Sequence, residues 1–234
     1  MKSIEPLPVT DANKEAVRYV GTRPEEGLAQ LAILQALGCT PNNTVLEIGC
    51  GALIAGFPIM QYLAPGSYYG VDPNGWLSAA SCRVERVKQE GFKRPQLSTR
   101  DDFYFYHPDV RFGPKFDYIL SHSVLSHAGD AQVDSFFRAI LAQLAPGGRC
   151  ACSLRLAEGN AYGSPGSTKH GRDFHEWQYP GVSWFRRDDV ITRANAIGLT
   201  ARVEGSFTKM IVTAHPAAVH DWIVLENWIV LERK

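Results

Sequence analysis

Three observations predict an α/β, doubly wound fold. Short β-branched or aromatic runs alternate with helical periods along most of the chain, a Gly-x-Gly turn follows the first such run directly, and later runs end in acidic or hydroxyl residues. Strand–helix alternation of this kind places helices on both faces of a parallel sheet, and ligands then gather at the carboxyl ends of the strands.

The elements follow in order. Residues 1–20 are polar with Pro6 and Pro8, and the first ten predict an irregular arm. Leu28, Leu31, Ala32, Leu34 and Gln35 keep a three- and four-residue rhythm that predicts a helix over 24–37, stopped by Gly38. Asn42-Asn43 turns the chain into the strand TVLEI (44–48). Helix 54–62, strand 67–71, helix 78–91 and strands 96–100 and 115–121 come next. After them are helix 131–145, ended by Pro146-Gly147-Gly148, strand 149–156, helix 186–198 and strand 199–205. No helical period is legible between TARVEG and the tail, so an antiparallel hairpin is expected to close the sheet. In the tail WIVLEN (222–227) is repeated at once as WIVLER (228–233); a period of six keeps Trp222 and Trp228 on one strand face. This tail extends an edge strand, and its edge could serve an edge-to-edge homodimer.

Composition narrows the partners. Lys+Arg and Asp+Glu are both 24, for a formal net charge of zero, whereas nucleic acid or an anionic membrane calls for a basic excess. Five cysteines, an odd number without C-x-x-C spacing, suit reduced core positions. The N-terminus lacks a signal-peptide core, and no apolar run approaches the ~20 residues that span a bilayer. A soluble, cytoplasmic protein is therefore expected. Its 234 residues suit a single domain over 1–234, with 1–24 as an arm or lid. The Gly-, Ser- and aromatic-rich stretch 157–183 is long for a loop and is expected to be a lid or substrate loop.

The strand ends carry the chemistry. Gly49 and Gly51 allow a sharp turn and close backbone approach to a ligand. Glu47, just before them, stands where dinucleotide-binding strands are apolar, and Ile54 replaces the third glycine of G-x-G-x-x-G. A carboxylate there repels a pyrophosphate and suits a cationic amine, so NAD is disfavoured. Asp72, about 20 residues on, is placed to hold two ribose hydroxyls. Asp101-Asp102-Phe103 offers a carboxylate and a ring for an adenine, and Ser121 and His122 end the fourth strand. The histidine spacings 122/127 and 170/175 are not those of a helical metal pair, so no metal is expected.

VLEIGCG, YYGVDPN, DDF, FDYILSHSVLSH and LAQLAPGGR, in this order and spacing, resemble the motifs of class I S-adenosylmethionine (SAM) dependent methyltransferases. SWFRRDDVITRANAIGLTARVEG is similar to the sixth-strand region of the small-molecule members. The resemblance covers residues 25–205 and, more loosely, the end of the chain. It implies a Rossmann-like, seven-stranded, mostly parallel sheet with an antiparallel C-terminal strand, and SAM as cofactor. Carried over, Glu47 meets the methionine end, Gly49 and Gly51 lie against the ligand, and Asp72 binds the ribose. Asp101 or Asp102, with Asp102 favoured, takes the adenine amine beside Phe103, and Ser121 approaches the methionine end or the sulfonium.

Methyl transfer is an in-line displacement that positioning can largely catalyse, with a histidine as optional base. His122 and Tyr179 are the candidate catalytic residues. Tyr19, His127, Arg155, His175, Trp177 and Trp184 are expected to line the acceptor side or the lid, where aromatic faces attract a sulfonium. The expected activity is methylation of a small molecule in biosynthesis. The alternative is a SAM-consuming cyclase of the azetidine-2-carboxylate synthase type, in which the SAM amine attacks its own γ-carbon and methylthioadenosine leaves. A non-catalytic SAM-binding module is a third reading.

Overall fold

The structure, a computed structural model, describes Lys14 and residues 24–80, 95–107, 113–162, 182–214 and 227–234. Its strands are β1 (Val45–Ile48), β2 (Tyr68–Val71), β3 (Gln96–Ser98), β4 (Phe116–Ser121), β5 (Leu144–Leu154), β6 (Leu156–Ala157), β7 (Phe185–Arg186), β8 (Leu199–Val203) and β9 (Asn227–Arg233). Seven of them form one sheet in the order β3-β2-β1-β4-β5-β9-β8, while β6 and β7 pair separately. Strands β1 to β5 run parallel, and β9 lies antiparallel between β5 and β8. This is the doubly wound sheet with an antiparallel C-terminal strand that the sequence predicts.

The helices are α1 (Pro24–Ala36), α2 (Gly56–Tyr62), α3 (Gly75–Ala80), α4 (Asp130–Gln143), α5 (Arg187–Ile197) and α6 (Gly205–Ala214). Alternation along each strand divides the core into two layers. Val45, Tyr68, Leu120, Ala151, Trp228 and Val230 pack with α1, α2 and Phe207 of α6. Leu46, Ile48, Ile119, Cys150, Cys152, Ile229 and Leu231 pack with Phe136, Phe137 and Ile140 of α4 and with Val190 and Ala194 of α5. The two phenylalanines of α4 are fully buried, so truncating either to alanine costs about 3–5 kcal/mol.

Four elements differ from the sequence expectations. The fifth strand begins at Leu144, not 149, because Leu144 is fully buried and pairs with Phe116; helix α4 therefore stops at Gln143, and a bulge with Gly147 at φ +74° carries the strand onward. The closing strands are not joined by a simple hairpin. Helix α6 intervenes, and its β-branched Thr208, Ile211, Val212 and Thr213 are weak helix formers that hide its period. Within the expected helix 78–91 the described part is α3, which begins earlier, at Gly75. The tail does not extend an edge strand either: its second copy forms β9, with Trp228 buried, paired on both sides to β5 and β8, so it offers no free edge for a homodimer; residues 222–226 of the first copy lie outside the described residues.

Helix α1 is pressed directly onto the loop after β1. A Cβ at Gly27 would come within 2.1 Å of the Ile54 carbonyl oxygen, a backbone atom that cannot step aside. Gly27→Ala is expected to cost about 2–3 kcal/mol and lower Tm by roughly 5–10 °C, measurable by thermal unfolding.

Candidate functional site

The carboxyl ends of β1, β2 and β4 meet over the glycine loop. Gly49, Gly51 and Leu53 all have left-handed backbone, with φ of +78°, +46° and +60°. A Cβ at Gly49 would lie 2.3 Å from Cγ2 of Val124, the buried residue that follows β4 and its turn. This glycine thus allows both the turn and a close approach of two segments.

Asp72 ties the loop to β2. Its Oδ2 accepts the Gly51 N–H at 2.9 Å and its Oδ1 the Asn74 N–H at 2.8 Å. Each oxygen keeps a further lone pair for a hydroxyl. Burial raises the Asp72 carboxyl above its ordinary value, while the two backbone N–H groups oppose the shift.

Glu47 is 4% exposed. Its Oε2 accepts the Tyr68 hydroxyl at 2.6 Å. Burial pushes this carboxyl up to about 8; the Tyr68 hydrogen bond pulls it down, and the negative charge of Asp72 pushes it up again. Because the folded value lies above the ordinary 4.5, the folded protein holds a proton that the unfolded chain has released across that window. Stability therefore falls as pH rises from about 4.5 to about 8, at up to ~1.4 kcal/mol per pH unit. In Glu47→Gln this slope is expected to flatten, so the variant gains stability relative to the wild type at pH 8; denaturant unfolding at several pH values measures it.

Asp102 follows β3 and is held from both sides. Arg100 pairs with it, Nε to Oδ1 at 3.0 Å, and Oδ1 also accepts the Tyr104 N–H at 3.2 Å. Burial alone would raise this carboxyl, but the Arg100 guanidinium and the backbone N–H outweigh it and lower it. The segment is anchored by the buried amide of Gln143, which accepts the Phe105 N–H and donates to the Phe103 carbonyl. Phe103, at φ +67°, is 6% exposed and packs edge-on against Phe136 at 5.5 Å. Its ring is part of the core. Asp101 is exposed.

On β4, Ser121 is 1% exposed, and its hydroxyl has no hydrogen-bond partner among the described residues. The His122 ring stacks parallel to Trp228 at 5.5 Å. The chain then turns through Ser123 at φ +56°, whose N–H donates to Ser153 Oγ, into a 3-10 turn that carries the half-buried His127. At the end of β5 the Arg155 guanidinium lies over the Trp184 ring, 5.4 Å from its centroid. Ser183 joins this segment to the 3-10 turn by donating its N–H to the Ser126 carbonyl and its hydroxyl to the Ala128 carbonyl, both at 2.7 Å. Tyr19, His175, Trp177 and Tyr179 lie outside the described residues. Among the described residues no group of three or more His, Cys, Asp or Glu side chains is placed to hold a metal ion.

Sequence reasoning missed Tyr68, Arg100 and Val124, which touch Glu47, Asp102 and the Gly49 turn. Arg100 stands two residues from Asp102, a spacing visible in the sequence, but Tyr68 and Val124 become partners only through sheet register.

Residues 46–150 match the family described as Methyltransferase domain. Over this stretch, somewhat under half of the chain, the sequence is similar to a methyltransferase domain. Similar folds occur in magnesium protoporphyrin IX methyltransferase (ChlM) of Synechocystis PCC 6803 with bound SAM, at TM-score 0.57 and 15% identity over 97% of this chain and 86% of that one. The DhpI–SAH complex matches at TM-score 0.59 and 16% identity over 95% and 93%. The CcbJ methyltransferase of Streptomyces caelestis matches at TM-score 0.56 and 16% identity over 91% and 97%. The Synechocystis enzyme holds SAM and DhpI holds SAH, so SAM is the group to set against this chain's residues. This chain's own residues fit that group: a buried hydroxyl at Ser121 lacks a partner among the described residues, Asp72 keeps acceptor capacity at the β2 end, and a side chain at position 49 would fill the turn. No helix among the described residues is long and apolar enough to cross a membrane.

Proposed function

We propose that the chain binds SAM over the glycine loop and directs methyl transfer to a small-molecule acceptor. The observation that carries this reading is the position of Asp72, anchored to Gly51 at the carboxyl ends of β1 and β2 with lone pairs to spare. In this reading Asp72 accepts the two ribose hydroxyls, Gly49 and Gly51 let the ligand lie on the backbone, and Asp102 accepts the adenine amine. Glu47 and Ser121 serve the methionine end. Bound SAM supplies an electrophilic methyl group on a sulfonium. His122, fixed against Trp228, serves as the base for the acceptor's proton. Arg155, Trp184 and His127 border the acceptor side, with Tyr19, His175, Trp177 and Tyr179 assigned to the lid and Tyr179 as a second candidate catalytic residue. The balanced charge of the chain and the small porphyrin substrate of the Synechocystis neighbour favour a small acceptor over nucleic acid.

The test is incubation with methyl-labelled SAM and a pool of small metabolites, followed by mass spectrometry. Label transferred to one metabolite, with S-adenosylhomocysteine formed in step, is the expected result. Methylthioadenosine and a cyclic amino acid formed from SAM alone would replace methyl transfer by ring closure. Where the label is transferred, His122→Ala is expected to slow turnover about 10²-fold or more at neutral pH while leaving SAM binding within threefold; single-turnover rates and a binding titration separate the two effects.

A further inference from the structure

The Tyr68 hydroxyl occupies a space made for it. A Cβ at Gly56, near the start of α2, would lie 2.4 Å from this oxygen, so only glycine there admits it. Tyr68 is 2% exposed, and a buried phenol needs a hydrogen-bond partner. That partner is Oε2 of Glu47 at 2.6 Å. The register pairs Val45 with Tyr68, and period two puts Glu47 on the face of Val45, so both side chains stand in the same layer. Among the described residues Oε1 of Glu47 accepts no hydrogen bond.

The groups around Glu47 make this contact decisive. Tyr68 of β2 and Asp72 just after it act on it, and Glu47 in turn raises the Cys50 thiol of the glycine loop. Helix α2 carries no charged residue, and Glu25 and Glu26 of α1 are not among the groups that move it. No described cation offsets the carboxylate, and Tyr68 is the one described group that donates to it.

We propose that Tyr68 is a positioning residue for the cationic end of the ligand: its hydroxyl engages Oε2 of Glu47 and reserves Oε1 for the ligand's ammonium. The inference rests on the SAM reading above. A donor to the charged carboxylate favours that form. Burial holds Glu47 near 8 even with this bond; without it the carboxyl is protonated to higher pH and attracts a cation less at neutral pH. Methylthioadenosine, which has the nucleoside but neither the ammonium nor the sulfonium, does not need this carboxylate.

The experiment titrates wild type, Tyr68→Phe and Glu47→Gln with SAM and with methylthioadenosine between pH 6 and 9, with thermal unfolding as a check on folding. In Tyr68→Phe the SAM dissociation constant is expected to rise about tenfold near pH 7, and the ratio to wild type to shrink towards pH 9. The ligand's own amine titrates alike in both proteins and cancels in that ratio. Methylthioadenosine should bind both within twofold. Glu47→Gln should lose SAM affinity without the pH-dependent recovery. Without ligand, the fall in stability with rising pH should extend to higher pH in Tyr68→Phe than in wild type. Equal SAM affinity of Tyr68→Phe and wild type at every pH would overturn the proposal, as would an equal loss for SAM and methylthioadenosine, which marks a merely structural role. Failure of the wild type to bind SAM at all would instead overturn the cofactor reading, and the inference with it.

Discussion

Replacing Asp72 by alanine is expected to weaken SAM binding by at least ~100-fold. Two effects combine. The ribose hydroxyls lose a charged acceptor, worth about 1.5–3 kcal/mol for each such hydrogen bond. The N–H groups of Gly51 and Asn74, which now donate to the two carboxylate oxygens, lose their acceptors, and the glycine loop loses its tie to β2. Stability is expected to fall less than affinity. Burial already raises the Asp72 carboxyl, so removing the charge returns part of the cost of burying it. Asp72→Asn keeps one carbonyl oxygen but turns an amide towards a backbone donor, and should lie between alanine and wild type. Calorimetric titration with SAM and denaturant unfolding of the three proteins separate the two quantities.

Gly49→Ala is expected to be the most damaging single methyl in the site. The left-handed backbone at φ +78° costs any L side chain about 1–2 kcal/mol. The new Cβ would also meet Val124 Cγ2 at 2.3 Å, an overlap that costs about 1–3 kcal/mol to relieve. A total of roughly 2–5 kcal/mol follows, or a drop in Tm of about 5–15 °C. Pairing it with Val124→Ala removes the methyl that collides, so the double variant should be more stable than the sum of the two single changes by about 1 kcal/mol or more. A double-mutant cycle on Tm and unfolding free energy reads this coupling. An additive cycle would mean that the cost lies in the backbone alone.

Residues next to one another in the chain announced most of this site, and residues joined by sheet register did not. Glu47, Gly49 and Gly51 form one strand-to-turn unit, and Asp72 ends the following strand, so their meeting is dictated once a parallel sheet is inferred. Tyr68 is equally local to β2, but its partnership with Glu47 depends on the pairing of Val45 with Tyr68, which no periodicity reveals. Phe103 stands beside the acid in the DDF motif, yet the backbone twist at this residue turns its ring into the core against Phe136. The end of the sheet was half legible. The β9 strand is plain in WIVLER, whereas α6 was concealed because tertiary contacts, with Phe207 buried in the layer of Trp228, support a helix that local propensity does not favour.

Titrating the purified wild-type chain with SAM, beside Asp72→Ala, tests most directly whether SAM binds at the carboxyl ends of β1 and β2. Saturable one-to-one binding by the wild type, displaced by S-adenosylhomocysteine and lost in Asp72→Ala, is the predicted result. No binding by the wild type, or undiminished binding by a folded Asp72→Ala variant, would contradict it.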